Sequence, residues 1–161
     1  GGRAFTKRIA QVLNGPFLEA EQDKLDYSAG KLAKEKLDIV EKAIKQDSEV
    51  WLAGVQLTLE EFSDLELLPS KILLCGGGSN LPDIERVLNE AKWGRNVAFA
   101  KKPTVGFLKP KHVSAVVDDT GELKAISDVT PMSLANLAID MVGKERVVDG
   151  LFSKIIMTLR S

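Results

Sequence analysis

The sequence predicts an α/β fold built from two stretches of different texture. Three observations carry this. From Phe5 to Phe62 the apolar residues recur at helical spacing. After Pro69 the pattern changes to short, continuously apolar runs. One of these runs, within "KILLCGGGSNLPDIERVL", drives into three consecutive glycines and then a helical pattern, which is the strand–turn–helix texture of an α/β protein. The expected organisation is a helical subdomain over 1–66, an α/β half-domain over 67–146 and an amphipathic tail over 147–161.

Phe5, Ile9, Val12 and Leu13 fall on one helical face, and Gly15-Pro16 ends that helix. Residues 18–32 read as a second helix with Leu18, Leu25, Ala29 and Leu32 on one side; Gly30 weakens its end. Ala33, Leu37, Val40 and Ile44 give a 4-3-4 spacing, so 33–46 is helical. The same pattern continues through Trp51, Val55 and Phe62 as one long helix, whereas Gly54 and the Thr58-x-x-Glu61 capping-box signature favour a break. The sequence leaves both open.

In the second stretch, residues 72–75 read as a strand buried on both faces. Residues 81–91 read as a helix with Ile84, Val87 and Leu88 inward and Pro82 in its first turn. Further strands are expected over 97–99 and 105–108, flanked by Pro103 and Pro110, and Asp119-Thr120-Gly121 marks a turn. Thr130 and Pro131 read as the N-cap and first residue of a helix whose face is Leu134, Leu137, Ala138 and Met141.

The 22 basic and 23 acidic residues nearly cancel, so bulk charge does not point to nucleic acid. A single cysteine, Cys75, excludes an internal disulfide, and with one histidine, His112, it cannot build a His/Cys zinc site. A reducing, cytoplasmic setting fits. No run reaches the roughly 18 apolar residues that a membrane span needs. Cys75 is expected in the core, Trp51 and Trp93 in the core or at a subdomain contact, His112 in a surface loop, and "EAKWGR" and "AKKP" on solvated faces. The chain opens on Gly1-Gly2 with no initiator Met, and is expected to be a piece of something longer.

Gly76, Gly77 and Gly78 carry the main functional signal. Without Cβ atoms the backbone can approach a flat or anionic group, and the free N–H groups of the following helix favour acceptor atoms. The loop is neither a P-loop, since no Gly-Lys-Ser/Thr follows, nor a G-x-G-x-x-G fingerprint, since Leu81-Pro82 replaces the third glycine. A tight turn with no ligand would read the same way. In the second helix, "AEQDKLDYS" places Glu21, Lys24 and Ser28 on one face. A carboxylate beside an ammonium can hold a pair of ribose hydroxyls, and Ser28 can reach an adenine nitrogen. The alternative is a solvated i,i+3 salt pair contributing roughly a few tenths of a kcal/mol.

"GGRAFTKRIA", "AEQDK" and "ILLCGGGSNLPDI" together resemble, in order and spacing, the second half of the actin-like ATPase superfamily. The resemblance covers nearly the whole chain. It is greatest to the bacterial cell-division protein FtsA, then to the pilus-assembly protein PilM, and more distant to DnaK-type chaperones; "TPMSLANLA" resembles the last core helix of FtsA-like proteins. It implies a partial actin-like (ribonuclease H-like) ATPase domain with a helical nucleotide-clamping subdomain. ATP would be the cofactor, with Mg in the intact parent but not held by this chain. Adenine would lie between Gly76, Gly77 and Gly78 and the helix of Glu21 and Lys24, which would hold the ribose. Ser28 matches a base-contacting chaperone position, and Asn80 is assigned to the same site. Leu25 stands where chaperones have an arginine against the adenine, which favours FtsA or PilM.

The superfamily's Asp-x-Gly phosphate hairpins and water-orienting carboxylate precede the first of these motifs, so no hydrolysis is expected from this chain. A few neutral hydrogen bonds at about 1 kcal/mol each, less the cost of association, imply a dissociation constant of order millimolar or weaker. An apolar strand with an open edge pairs readily with another chain, so self-association is expected. In the last residues, Leu151, Phe152, Ile155, Ile156 and Leu159 fall within an arc of about 140°. In FtsA-type proteins such a helix docks the division ring to the inner membrane; packing on protein is the alternative reading of this tail. The resemblance therefore implies a cytoplasmic protein peripheral on the inner membrane, with a tubulin-like division protein as partner and no nucleic acid. A PilM-like scaffold, or a fragment of a chaperone or sugar-kinase ATPase, is the alternative function.

Overall fold

A computed structural model describes residues 1–62, 66–90, 97–114 and 116–142. The chain divides into two compact units, Gly1–Phe107 and Leu108–Ser161. The first holds helices α1 (Gly2–Leu13), α2 (Phe17–Ser28) and α3 (Lys34–Glu60), strand β1 (Lys71–Leu74), helix α4 (Pro82–Glu90) and strand β2 (Thr104–Phe107). In the second unit residues 129–142 are helical and are labelled α5.

The amphipathic spacing of α1 buries Phe5 and Ile9, with Leu13 packed beside them. It stops because Asn14 adopts a left-handed conformation, φ 49°, which lets the Gly15 N–H donate back to the Ala10 carbonyl at 3.0 Å. Pro16 then opens α2. The third helix is continuous through Gly54: the Thr58 hydroxyl donates to the Gly54 carbonyl at 3.0 Å instead of capping a new helix. Val40, Ile44 and Leu52 enter the core, and Trp51 lies against it half-buried.

The second helix corrects the sequence reading. Leu18, Leu25 and Ala29 are exposed, and the buried residues are Ala20, Asp23 and Lys24. Polar groups win this face because each finds a partner: Lys36 for Asp23, and Glu21, Thr6 and Gly2 for Lys24.

The strands β1 and β2 pair in parallel, in register from Lys71↔Thr104 to Leu74↔Phe107, with α4 between them in sequence. This is a βαβ unit. Burial in β1 alternates, with Ile72 and Leu74 packed against the core while Leu73 is exposed. The strand is therefore not buried on both faces, and Cys75, expected inside, is exposed at its end. Instead of a strand over 97–99 there is an isolated bridge, Leu68↔Phe99, closed by the Leu68 N–H on Ala98 at 2.7 Å. The Ile84, Val87 and Leu88 face of α4 is buried as its spacing requires.

In the second unit the Asp119–Gly121 turn forms around Asp118, whose carboxylate accepts from the Thr120 and Leu123 N–H groups, with Gly121 at φ 67°. His112 is exposed, and its Nδ1 accepts the Lys109 N–H at 3.0 Å. Thr130 is inside α5 rather than capping it. Asp128, in the turn before the helix, accepts from the Lys124 and Ala125 N–H groups instead. The expected face of α5 is exposed at Leu134, Leu137, Ala138 and Met141, and its buried residues are Val129 and Met132. Among the described residues no helix is long and apolar enough to cross a membrane. Trp93, most of "EAKWGR" and the tail residues Leu151, Phe152, Ile155, Ile156 and Leu159 lie outside the described residues.

Candidate functional site

The first turn of α1, the middle of α2 and the glycine loop before α4 meet at one edge of the first unit. Their meeting point is Gly2. A methyl built on Gly2 would stand 3.6 Å from Lys24 Nζ and 4.0 Å from Gly78 Cα, and one on Gly78 would stand 3.7 Å from the Gly2 nitrogen. Two glycine backbones thus lie side by side, with the ammonium group next to them. These are ordinary van der Waals distances, so the two glycines are neighbours without a clash that would demand glycine at either position.

Lys24 is held by four acceptors. Its ammonium donates to Glu21 Oε2 at 2.7 Å, Glu21 Oε1 at 2.8 Å, Thr6 Oγ1 at 2.9 Å and the Gly2 carbonyl at 3.4 Å. An ammonium has three N–H donors, so none is left over. The Thr6 hydroxyl, fully buried, donates in turn to Glu21 Oε2. The result is a closed cluster in which the cation is buried, its side chain 11% exposed, and the carboxylate faces outward, 37% exposed.

Burial would raise the Glu21 pKa, but the hydrogen bonds from Lys24 and Thr6 and the Lys24 charge outweigh it, so the carboxyl is held below its ordinary value. With about four lone-pair sites and three donated hydrogen bonds, Glu21 can accept one more. Lys24 therefore supports Glu21 and has no donor to offer outward. Ser28 Oγ donates to the Lys24 carbonyl at 3.0 Å, which leaves its lone pairs free.

On the loop side, Gly76 adopts φ 85°, a conformation that favours glycine. Gly77, Gly78, Ser79 and Asn80 form a short 3-10 turn pinned by Ser79 Oγ on the Cys75 carbonyl at 2.8 Å. A methyl on Gly77 would meet nothing within 4 Å, so that face of the loop is open. Asn80 is exposed, and Leu81 behind it is buried. A second tie links the two sides. The Tyr27 hydroxyl donates to Asp83 Oδ2 at 2.7 Å, and Arg86 donates to Asp83 Oδ1 at 2.7 Å.

The structure thus brings Glu21, Lys24 and Gly78 together, with Gly76 and Gly77 on the same loop. Thr6 and Gly2 are the residues that sequence reasoning did not single out. Their signal was present in "GGRAFT", where a glycine and a threonine four residues apart share a helix face. Three cavities lie elsewhere: one of about 540 Å³ between α1 and α3 at Arg8 and Ile39, one of about 460 Å³ along α3 at Trp51, and one of about 290 Å³ at Asn14 and Asp23. None of these three is lined by Glu21, Lys24 or the glycine loop. Among the described residues no group of three or more His, Cys, Asp or Glu is placed to hold a metal ion.

No family model matches the chain, and neither a curated protein nor a solved structure matches it.

Proposed function

We propose that the edge where Gly2, Glu21, Lys24 and Gly78 meet is the adenosine-holding side of an actin-like nucleotide site, and that the chain is the adenosine-clamping part of an FtsA-like cell-division protein. The observation that carries this reading is that Gly2 stands between Lys24 Nζ and Gly78, so two motifs far apart in sequence share one edge. The residues fit a nucleoside. Glu21 keeps a lone pair for a ribose hydroxyl, and the loop offers bare backbone to a flat base. ATP is the nucleotide the resemblance implies, with its phosphates and Mg held outside this chain, so nucleoside binding without hydrolysis is the expected activity. Filament formation and tethering to the inner membrane through residues 150–161 complete the proposal.

Calorimetric titration of a non-hydrolysable ATP analogue into the chain tests it. Binding of order millimolar is expected, lost in Glu21→Gln. Heat identical to a buffer blank, or binding unchanged in Glu21→Gln, contradicts it. Lipid co-sedimentation with and without residues 150–161 separates an FtsA-like role, which needs the tail, from a PilM-like one, which does not.

One observation favours a second reading. The Lys24 ammonium is saturated within the protein, as expected of a cluster that only locks α1 to α2. On that reading Glu21→Gln lowers stability and changes no binding.

A further inference from the structure

We propose that Tyr27, Asp83 and Arg86 form a latch that fixes the glycine loop against α2, which makes them positioning residues for the candidate site. Its consequence for a bound nucleoside rests on the reading above; the latch itself does not. Tyr27 lies one turn beyond Lys24 on α2, and Asp83 lies three residues beyond Asn80, in the first turn of α4. The bond between them joins residues 56 apart in sequence, one from each side of the site.

Asp83 alone is an ordinary first-turn acid, favourable at a helix N-terminus. Tyr27 comes from another element, and its hydrogen bond does nothing for either helix by itself. The Asp83 side chain is 6% exposed and accepts from two donors, so it holds one arrangement and not several. Burial, then the Asp83 hydrogen bond and charge, raise the Tyr27 phenol above its ordinary value, so it remains a donor through neutral pH. Gly2 also lies beside both sides, close to Lys24 Nζ and to the Gly78 backbone. The Tyr27–Asp83 bond is a side-chain bond that ties α2 to α4 beside the loop.

Amide hydrogen exchange on the nucleotide-free chain tests the latch. Tyr27→Phe keeps the ring and removes the donor. The Ser79, Leu81 and Ile84 amides, which donate to Gly76, Gly78 and Leu81, are expected to exchange about tenfold faster, a factor typical of losing a hydrogen bond to a charged group. The Ile44 amide in α3 should change no more than the loss of global stability read by urea unfolding. Asp83→Asn keeps an acceptor for the phenol and should loosen the loop less than Tyr27→Phe. Asp83→Leu, which also loses the Arg86 pair and the first-turn charge, should loosen the loop at least as much as Tyr27→Phe, and adding Tyr27→Phe to Asp83→Leu should add nothing. Equal acceleration in loop and α3, an unchanged loop, or additive single effects would overturn the latch. If Tyr27→Phe frees the loop while the parent chain binds no ATP analogue, the latch stands and the nucleoside reading falls.

Discussion

Two ion pairs, one within α2 and one joining α2 to α3, are built with opposite polarity. In the pair at the candidate site the cation is inside: the Lys24 side chain is 11% exposed and that of Glu21 37%. In the pair facing the α1–α2 turn the anion is inside: Asp23 is 12% exposed and Lys36 42%. The outer group of each pair is the one that can meet a ligand or water, so the first presents a carboxylate and the second an ammonium. The inner group depends on the outer one, because a buried charge left alone is costly while an exposed one is re-solvated.

The comparison makes an asymmetric forecast. Its largest effect is Glu21→Ala, which leaves Lys24 buried with only Thr6 and Gly2 as acceptors. A loss of about 2 kcal/mol in urea unfolding is expected. Ser48 is the contrasting case, fully buried with no hydrogen-bond partner for its hydroxyl among the described residues. Ser48→Ala should therefore gain about 1 kcal/mol in urea unfolding, and a loss would contradict an unpaired hydroxyl. Lys24→Met removes the buried charge itself, keeps much of the chain length and leaves Glu21 to water. It should cost less than about 1 kcal/mol; a cost equal to that of Glu21→Ala would break the comparison.

Lys36→Met leaves Asp23 alone, but Asp23 lines the 290 Å³ cavity, through which water can reach it. Its unfolding midpoint should move less than that of Glu21→Ala. The smallest effect is the pH dependence. Glu21 has a folded pKa below its unfolded one, so its contribution is present above the unfolded value and is lost as pH falls through the folded value. Stability should decline in acid, below about pH 4.5, and the decline should be shallower in Glu21→Ala.

Much of the frame was legible in the sequence. The spacing of Phe5 and Ile9, the Val40–Ile44 register and the Ile84–Val87–Leu88 face each found the core, because there the helical period of apolar residues meets apolar partners from other elements. Gly76 also announced its turn, since φ 85° favours glycine. The α2 face was not legible. Its apolar residues Leu18 and Leu25 point outward because Asp23 and Lys24 find partners from α1, α2 and α3, and pairing across elements is invisible to periodicity. The continuity of α3 through Gly54 was one of two readings the sequence left open, and it holds because one glycine costs only about 1 kcal/mol in a helix this long. At the candidate site the participants were readable as types, but the supporting role of Lys24 appears only once Thr6 and Gly2 are seen to complete its shell.

The most direct test of the central claim is a residue-resolved NMR titration of the chain with an ATP analogue. Concerted amide shifts at Gly76, Gly77 and Gly78 on one side and Glu21 on the other, saturating together and absent with ribose-free triphosphate, are the predicted result. Shifts confined to one side, or spread over the α1–α3 groove at Arg8 and Ile39, would contradict it.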